Sequence, residues 1–188
     1  MLAVSGGSDP WPMFSRLEDL WDDWANTEIF QVDERIAPAG SDERNLTHLV
    51  ESLSIGAQGS IRPMPVTDED LDEAAARYAE SLPEALDLAH MGIGPDGHTA
   101  SLVPGDPVLE VTDRRVAVTA GEYQGVRRMT LTYPELHSVR SLLWVVTGEE
   151  KVDALRKLLD RDPSIPAGRV DPGGDSLVLA DRAAAPNA

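Results

Sequence analysis

The chain has 188 residues and no cysteine, which gives room for one domain with a sizeable core and excludes disulfides, thiolate nucleophiles and thiolate metal sites. Its 33 acids against 16 bases set a formal charge of −17. Such a surface repels nucleic acid and acidic membranes, although a small anion can still bind in a locally positive pocket. No run approaches the roughly 18 apolar residues of a membrane span, and MLAVSGGS carries no basic leader, so neither a span nor a secretory signal is expected and a reducing cytoplasm suits the composition.

In chain order, MLAVS reads as a strand closed by the turn GGSDP. WPMFSRLEDLW then shows helical spacing, with Met13, Leu17, Leu20 and Trp21 on one stripe, or Phe14, Leu17 and Trp21. IFQV (29–32) is the next strand, ended by DER. Asp42 starts a helix whose apolar face is Leu46, Leu49, Val50 and Leu53. SIRPMPV is a short strand or extended segment broken by Pro63 and Pro65. Thr67, with Asp70 three residues on, reads as the cap of a helix that runs to Ser81. LDLAHM and VAVT (116–119) are strands, and a short helix after Thr132 holds Leu136 and Val139. SLLWVVTG is the clearest buried strand, 149–159 a helix, and SLVLA (176–180) the last strand.

Continuously apolar strands alternating with helices predict an α/β fold. The expected form is one open, mostly parallel sheet with helices on both faces, in a single domain over 1–188. Ligand sites in such sheets lie beyond the carboxyl ends of the strands. SGGS, DER, GIGPDGH and TGEEK all fall at that edge.

GIGPDGHTASLVPG (92–105) contains the letters GxGxxG. A dinucleotide site, however, wants that motif after the first strand, ahead of a full helix and an acid about 20 residues on. Here Pro104 and Gly105 cut the helix short, and Asp113 precedes its strand. Gly94 and its neighbours instead suit a tight turn that brings backbone close to a ligand. His98 in that turn is placed to act as an acid or base near neutral pH. Asp96 can orient it, bind a sugar hydroxyl or cap the short helix. Gly6, Gly7 and Ser8 form a second tight loop, where successive N–H groups can hold a phosphate. Asp33 and Arg35 stand at a strand end, and Arg128 and Lys151 are the cations available to an anionic substrate. His48, His90 and His137 read as structural, and the four tryptophans as packing residues. No histidine pair has metal-ligand spacing, and there is no GxSxG elbow.

Taken together, SGGSDP, VDERIAP, RNL, GIGPDGHTASLVPG, RRMTLTYPEL and VVTGEEK resemble the 6-phosphogluconolactonase family, within the wider group of glucosamine-6-phosphate isomerases and deaminases. The likeness runs from residue 5 to LADRAA near residue 184. It implies a Rossmann-like α/β domain that hydrolyses 6-phosphoglucono-1,5-lactone in the pentose phosphate pathway, without metal or organic cofactor. It further implies a monomer or weak homo-oligomer. By the same resemblance His98 is the catalytic base with Asp96 nearby, Gly6, Gly7 and Ser8 line the phosphate side, and Asp33 and Arg35 lie in the pocket, Arg35 counted with His98 and Asp96 among the catalytic residues. Arg128 and Lys151 then hold the phosphate or the developing charge. Three features depart from the family pattern. Asp9 stands where threonine is usual. Glu43-Arg44-Asn45 replaces DSN, so that Arg44 either offsets Asp9 or adds a phosphate contact. Only MLAV precedes the first glycine loop, where family members place a leading strand and helix, so the domain is expected to be truncated at its start, with sheet surface uncovered. An amino-sugar-phosphate isomerase or deaminase would use a similar DGH loop but continues toward an FNEP-like stretch, where this chain reads TASLVPG. A non-catalytic sugar-phosphate-binding paralogue is the alternative of a different class.

Overall fold

Short, mostly apolar runs of two to six residues become the strands of a parallel sheet. A computed structural model describes residues 1–7, 10–53 and 60–186, with Glu18 described in its backbone only. Ser8 and Asp9 lie outside the described residues. The central sheet takes β1 (Leu2–Val4), β2 (Ile29–Gln31), β4 (Ile61–Arg62), β5 (Leu88–Met91), β8 (Ser141–Val146) and β9 (Asp175–Ala180) in the order β4-β2-β1-β5-β8-β9. Every pairing in it is parallel. From β1 the chain moves outward through β2 to β4, then returns to the other side of β1 with β5. The reversal puts a topological switch point between β1 and β5, where a crevice opens beyond the carboxyl ends.

The DER segment departs from the expected loop. Asp33–Arg35 form β3, which pairs antiparallel with β7 (Arg128–Leu131), itself antiparallel to β6 (Val116–Val118), in a separate three-stranded sheet. One residue, Val32, separates β2 from β3. Its N–H donates to Val4 O in the first sheet, and its carbonyl accepts Leu131 N in the second. The smaller sheet thereby carries Asp33, Arg35 and Arg128 to the switch-point crevice.

Two apolar cores flank the central sheet. One gathers Val4, Ile29 and Ile61 of the sheet under Phe14 of α1 (Pro10–Leu20) and Leu49 of α2 (Asn45–Ser52). Of the two stripes the spacing allows on α1, the structure buries Phe14, with Met13 and Leu17 partly buried, and leaves Leu20 82% and Trp21 46% exposed. The larger core joins Ala89, Met91, Leu142, Trp144 and Val146 to α3 (Leu71–Ser81), α4 (Tyr133–Ser138), α5 (Val152–Leu159) and the small sheet. β8 buries alternate residues rather than all of them. Along β9, Leu177 and Leu179 are 57% and 51% exposed, so this edge strand is covered less than its apolar sequence implies. The cap of α3 is Asp70, whose carboxylate accepts the Glu73 N–H at 2.9 Å, and not Thr67. A charged acceptor at that end also meets the positive pole of the helix.

No helix among the described residues is long and apolar enough to cross a membrane. Among the same residues no group of three or more His, Asp or Glu side chains is placed to hold a metal ion.

Candidate active site

The loops leaving β1 and β5 meet at the switch point, where the Ser5 N–H donates to His90 O at 3.1 Å. Between them and the small sheet lies a cavity of about 300 Å³. Its glycine walls are Gly6, Gly7, Gly92 and Gly94, and its charged lining is Arg35, Arg128 and Lys151 against one carboxylate, Asp33. Three cations to one anion make it locally positive inside a chain of −17. A neighbouring cavity of about 420 Å³ shares Gly7, Arg35, Gln124 and Arg128 with it.

His98 lines the cavity with its side chain 20% exposed. Its Nδ1 lies 2.6 Å from Asp96 Oδ1, which also accepts the His98 backbone N–H at 3.1 Å. A carboxylate only accepts, so Nδ1 carries the hydrogen and Nε2 holds the lone pair of a base. Burial pushes the Asp96 carboxyl up. The hydrogen bonds from the His98 backbone and ring and the His98 charge outweigh it and hold the group below the usual carboxylate range.

The loop makes this dyad by being short of side chains. A Cβ on Gly94 would sit 2.0 Å from His98 Nδ1 and 2.7 Å from Asp96 Oδ1. Gly97 turns the chain with φ +82 against Ile165, and its carbonyl accepts the Ala167 N–H at 3.0 Å.

The cations are held from behind. Arg35 Nη1 donates to Asn45 Oδ1, and Asn45 Nδ2 donates to the Asp33 carbonyl at 3.1 Å. Asn45 can reach them only because residue 6 is glycine: a Cβ there would meet Asn45 Oδ1 at 2.0 Å. Asp33 is buried and accepts the Ser101 hydroxyl at 2.6 Å. Burial pushes its carboxyl above the usual range, against the Ser101 hydrogen bond and the Arg128 and Arg35 charges. Arg128 donates to the carbonyl of Tyr123 and to Gln124 Oε1, at 3.2 and 3.1 Å. Burial pulls its guanidinium below its ordinary range, while Asp33 opposes that shift. Lys151, the N-cap residue of α5, lies 3.9 Å from Glu150 and is 18% exposed.

Arg44 goes elsewhere. It is 4% exposed, lies outside the lining of both cavities, and its Nε is 3.1 Å from Glu34 Oε2. Glu34, fully buried, also accepts N–H groups from Arg35, Asn45 and Leu46 and the Gln31 side chain, at 2.7–3.0 Å. It therefore caps α2 from another strand, since the N-cap residue Arg44 makes no side-chain cap. His90 is 3% exposed and lines the cavity, packs edge-on against Phe14, and has no hydrogen-bond partner for either ring nitrogen among the described residues. Burial pushes its pKa down to about 4.

Of the sequence-predicted site residues, the structure thus brings Gly6, Gly7, Asp33, Arg35, Gly94, His98, Arg128 and Lys151 to one cavity. Asp96 stands behind His98, Arg44 behind β3, and Ser8 is outside the described residues. Sequence reasoning gave no role to Asn45, Tyr123 or Gln124, and grouped Glu34 with Asp33 and Arg35 as a charge cluster suited to the pocket, whereas the structure turns Glu34 away from it. Asn45 had a signal, its place in the RNL stretch that carries part of the family resemblance. Tyr123 and Gln124 are brought to the site by the hairpin between β6 and β7, and Glu34 is placed by the docking of α2 on β3.

The comparisons show the family and the fold. Residues 1–179 match the family model described as glucosamine-6-phosphate isomerases/6-phosphogluconolactonase. A 6-phosphogluconolactonase of Synechocystis is 32% identical, covering 99% of this chain and 83% of its own length. The crystal structure of a Thermotoga maritima 6-phosphogluconolactonase superposes with a TM-score of 0.85 at 28% identity, over 95% of this chain and 84% of that one. A solved monomeric glucosamine-6-phosphate deaminase shares the fold, with a TM-score of 0.83 at 20% identity over 98% of this chain and 86% of that one. The chain belongs to the glucosamine-6-phosphate isomerase/6-phosphogluconolactonase family.

Proposed function

We propose that the chain hydrolyses 6-phosphoglucono-1,5-lactone to 6-phosphogluconate, the lactone-opening step of the pentose phosphate pathway, as a cytoplasmic monomer or weak homo-oligomer. One observation carries this reading. A histidine whose Nδ1 is fixed by Asp96 lines a cavity that collects Arg35, Arg128 and Lys151 in a strongly acidic chain.

A lactone is an activated ester, so water can attack it without a covalent enzyme intermediate. His98 Nε2 takes a proton from the attacking water as the new C–O bond forms at the carbonyl carbon. Asp96 steadies the imidazolium that results. The carbonyl oxygen becomes an oxyanion, for which Arg35, fixed in the cavity lining by Asn45, is a donor. Collapse breaks the bond to the ring oxygen, which takes the His98 proton and leaves as a hydroxyl. The free acid then ionises. Arg128 and Lys151 neutralise the phosphate, and the N–H groups around Gly6, Gly7 and Ser8 supply further donors. Asp33 fixes the Asn45 amide and sets the local charge. Arg44 serves the site through Glu34.

The test is turnover of freshly made lactone, corrected for spontaneous opening, by wild type and His98→Ala. Loss of the base costs about 10²–10⁴-fold in rate. No acceleration by a folded wild-type protein overturns the proposal. Ammonia release from glucosamine 6-phosphate, measured alongside, is expected to be absent.

A further inference from the structure

We infer that Tyr123 is a positioning residue that couples anion binding at Arg128 to the proton-transferring dyad His98–Asp96. This rests on the proposed lactonase reading for its kinetic arm.

Tyr123 stands at the tip of the hairpin between β6 and β7, opposite Val126. The two residues between them, Gln124 and Gly125, have φ +56 and +85, the paired positive angles of a tight type I′ turn. The turn folds the tip over the cavity mouth, where Gln124 lines both neighbouring cavities. Contacts from three residues then meet on Tyr123. The Tyr123 hydroxyl lies 3.4 Å from Asp96 Oδ2 and 3.4 Å from His98 Nδ1. Its ring centroid is 5.0 Å from that of His98. The Arg128 guanidinium sits over the same ring at 5.1 Å and donates to the Tyr123 carbonyl.

Chemistry assigns the direction of these contacts. Asp96 Oδ1 is occupied by the His98 Nδ1 hydrogen, so the tyrosine hydroxyl donates to the free oxygen Oδ2 and holds the carboxylate in the rotamer that fixes the base. The ring face attracts the guanidinium. An anion that draws Arg128 forward displaces the ring against which His98 packs. The two ends of the substrate, phosphate and reacting carbonyl, thus meet groups tied to one side chain.

Two variants separate the two halves of this role. Tyr123→Phe keeps the ring and loses the hydroxyl. The expected result is kcat lowered about 3–10-fold, the scale of one modest hydrogen bond, with KM unchanged. Tyr123→Ala also removes the surface under Arg128, so KM rises as well, by about 3–30-fold. Independently of turnover, the His98 ring signal is followed by NMR in ¹³C-histidine protein during titration with inorganic phosphate, assigned by its loss in His98→Ala. Phosphate is expected to move the signal and its pH midpoint in wild type and Tyr123→Phe, and not in Tyr123→Ala. An equal response in Tyr123→Ala, or none in wild type, overturns the coupling. So do folded variants with unaltered kcat and KM. If wild type opens no lactone, the substrate reading fails while the NMR comparison still decides the role of Tyr123.

Discussion

Glu34 carries the sharpest prediction for stability. Its carboxylate is fully buried between β3 and α2. Oε1 accepts the Arg35 and Asn45 N–H groups, and Oε2 accepts Leu46 N–H and the Gln31 amide while facing Arg44 Nε at 3.1 Å. Glu34→Gln keeps the shape and one acceptor oxygen. Whichever way the amide turns, its NH₂ faces two protein N–H groups, and the buried Arg44 loses the one carboxylate that it pairs with among the described residues. Breaking a buried pair from one side costs about 3–5 kcal/mol. For a chain of this size that corresponds to a melting temperature lower by about 6–20 °C. Removing Arg44 as well, in Glu34→Gln/Arg44→Met, takes away the orphaned charge. The double variant is then expected to lose less than the sum of the singles, with a coupling of about 1–3 kcal/mol. Urea unfolding of the four proteins measures the cycle. A Glu34→Gln protein within about 0.5 kcal/mol of wild type, the spread of ordinary surface substitutions, refutes the reasoning, as does strict additivity.

The remaining expectations concern the dyad, the cavity floor and the arginine brace. Gly94→Ala drives a methyl group into His98 Nδ1 and Asp96 Oδ1. Since a misplacement of about 1 Å can cost 10²-fold, lactone turnover is expected to fall by about that factor, with an unchanged far-UV circular dichroism spectrum. His90 has a folded pKa of about 4, below its unfolded value. The unfolded chain therefore binds the extra proton first, and stability falls as pH drops from about 6.5 toward 4 by up to about 3 kcal/mol. His90→Phe is expected to flatten that stretch of a urea-midpoint profile, and an unaltered slope contradicts the assignment. Asn45→Ala frees Arg35 and is expected to lower kcat about 10-fold, the loss of a charged hydrogen bond, with the lactone assay again deciding.

How much of this was legible in the sequence depends on how far each residue's partners lie along the chain. The β1 and β5 loops were readable because their chemistry is local: Asp96 and His98 are two residues apart, and the glycines that admit them lie within the same loop. The edge of the sheet that collects Gly6, Gly94 and Lys151 followed from apolar runs ending in polar turns. The helix cap was ambiguous for a local reason, since Thr67 and Asp70 both offer oxygen acceptors, and only the bond to Glu73 N distinguishes them. Trp21 fits an apolar stripe by spacing, yet its indole N–H reaches Thr27 Oγ1 at 3.0 Å on the exposed side, where the helix has already ended.

The residues that the sequence did not disclose act across larger separations. Three residues, DER, are too few to show an alternating pattern, and their strand exists because β7, nearly a hundred residues on, pairs with it. The direction of Arg44 is decided by Glu34, whose burial in turn depends on α2 docking against β3. Pocket charge alone would have sent Arg44 to the substrate. The stronger demand is local neutrality: an uncompensated carboxylate inside the protein costs more than one additional cation at a cavity that already holds three is worth. Counting cations near a motif thus overestimates the binding set whenever a buried acid lies beside it. In this chain the correction is read from one neighbour: Glu34, between Asp33 and Arg35, points away from the cavity that both of them line.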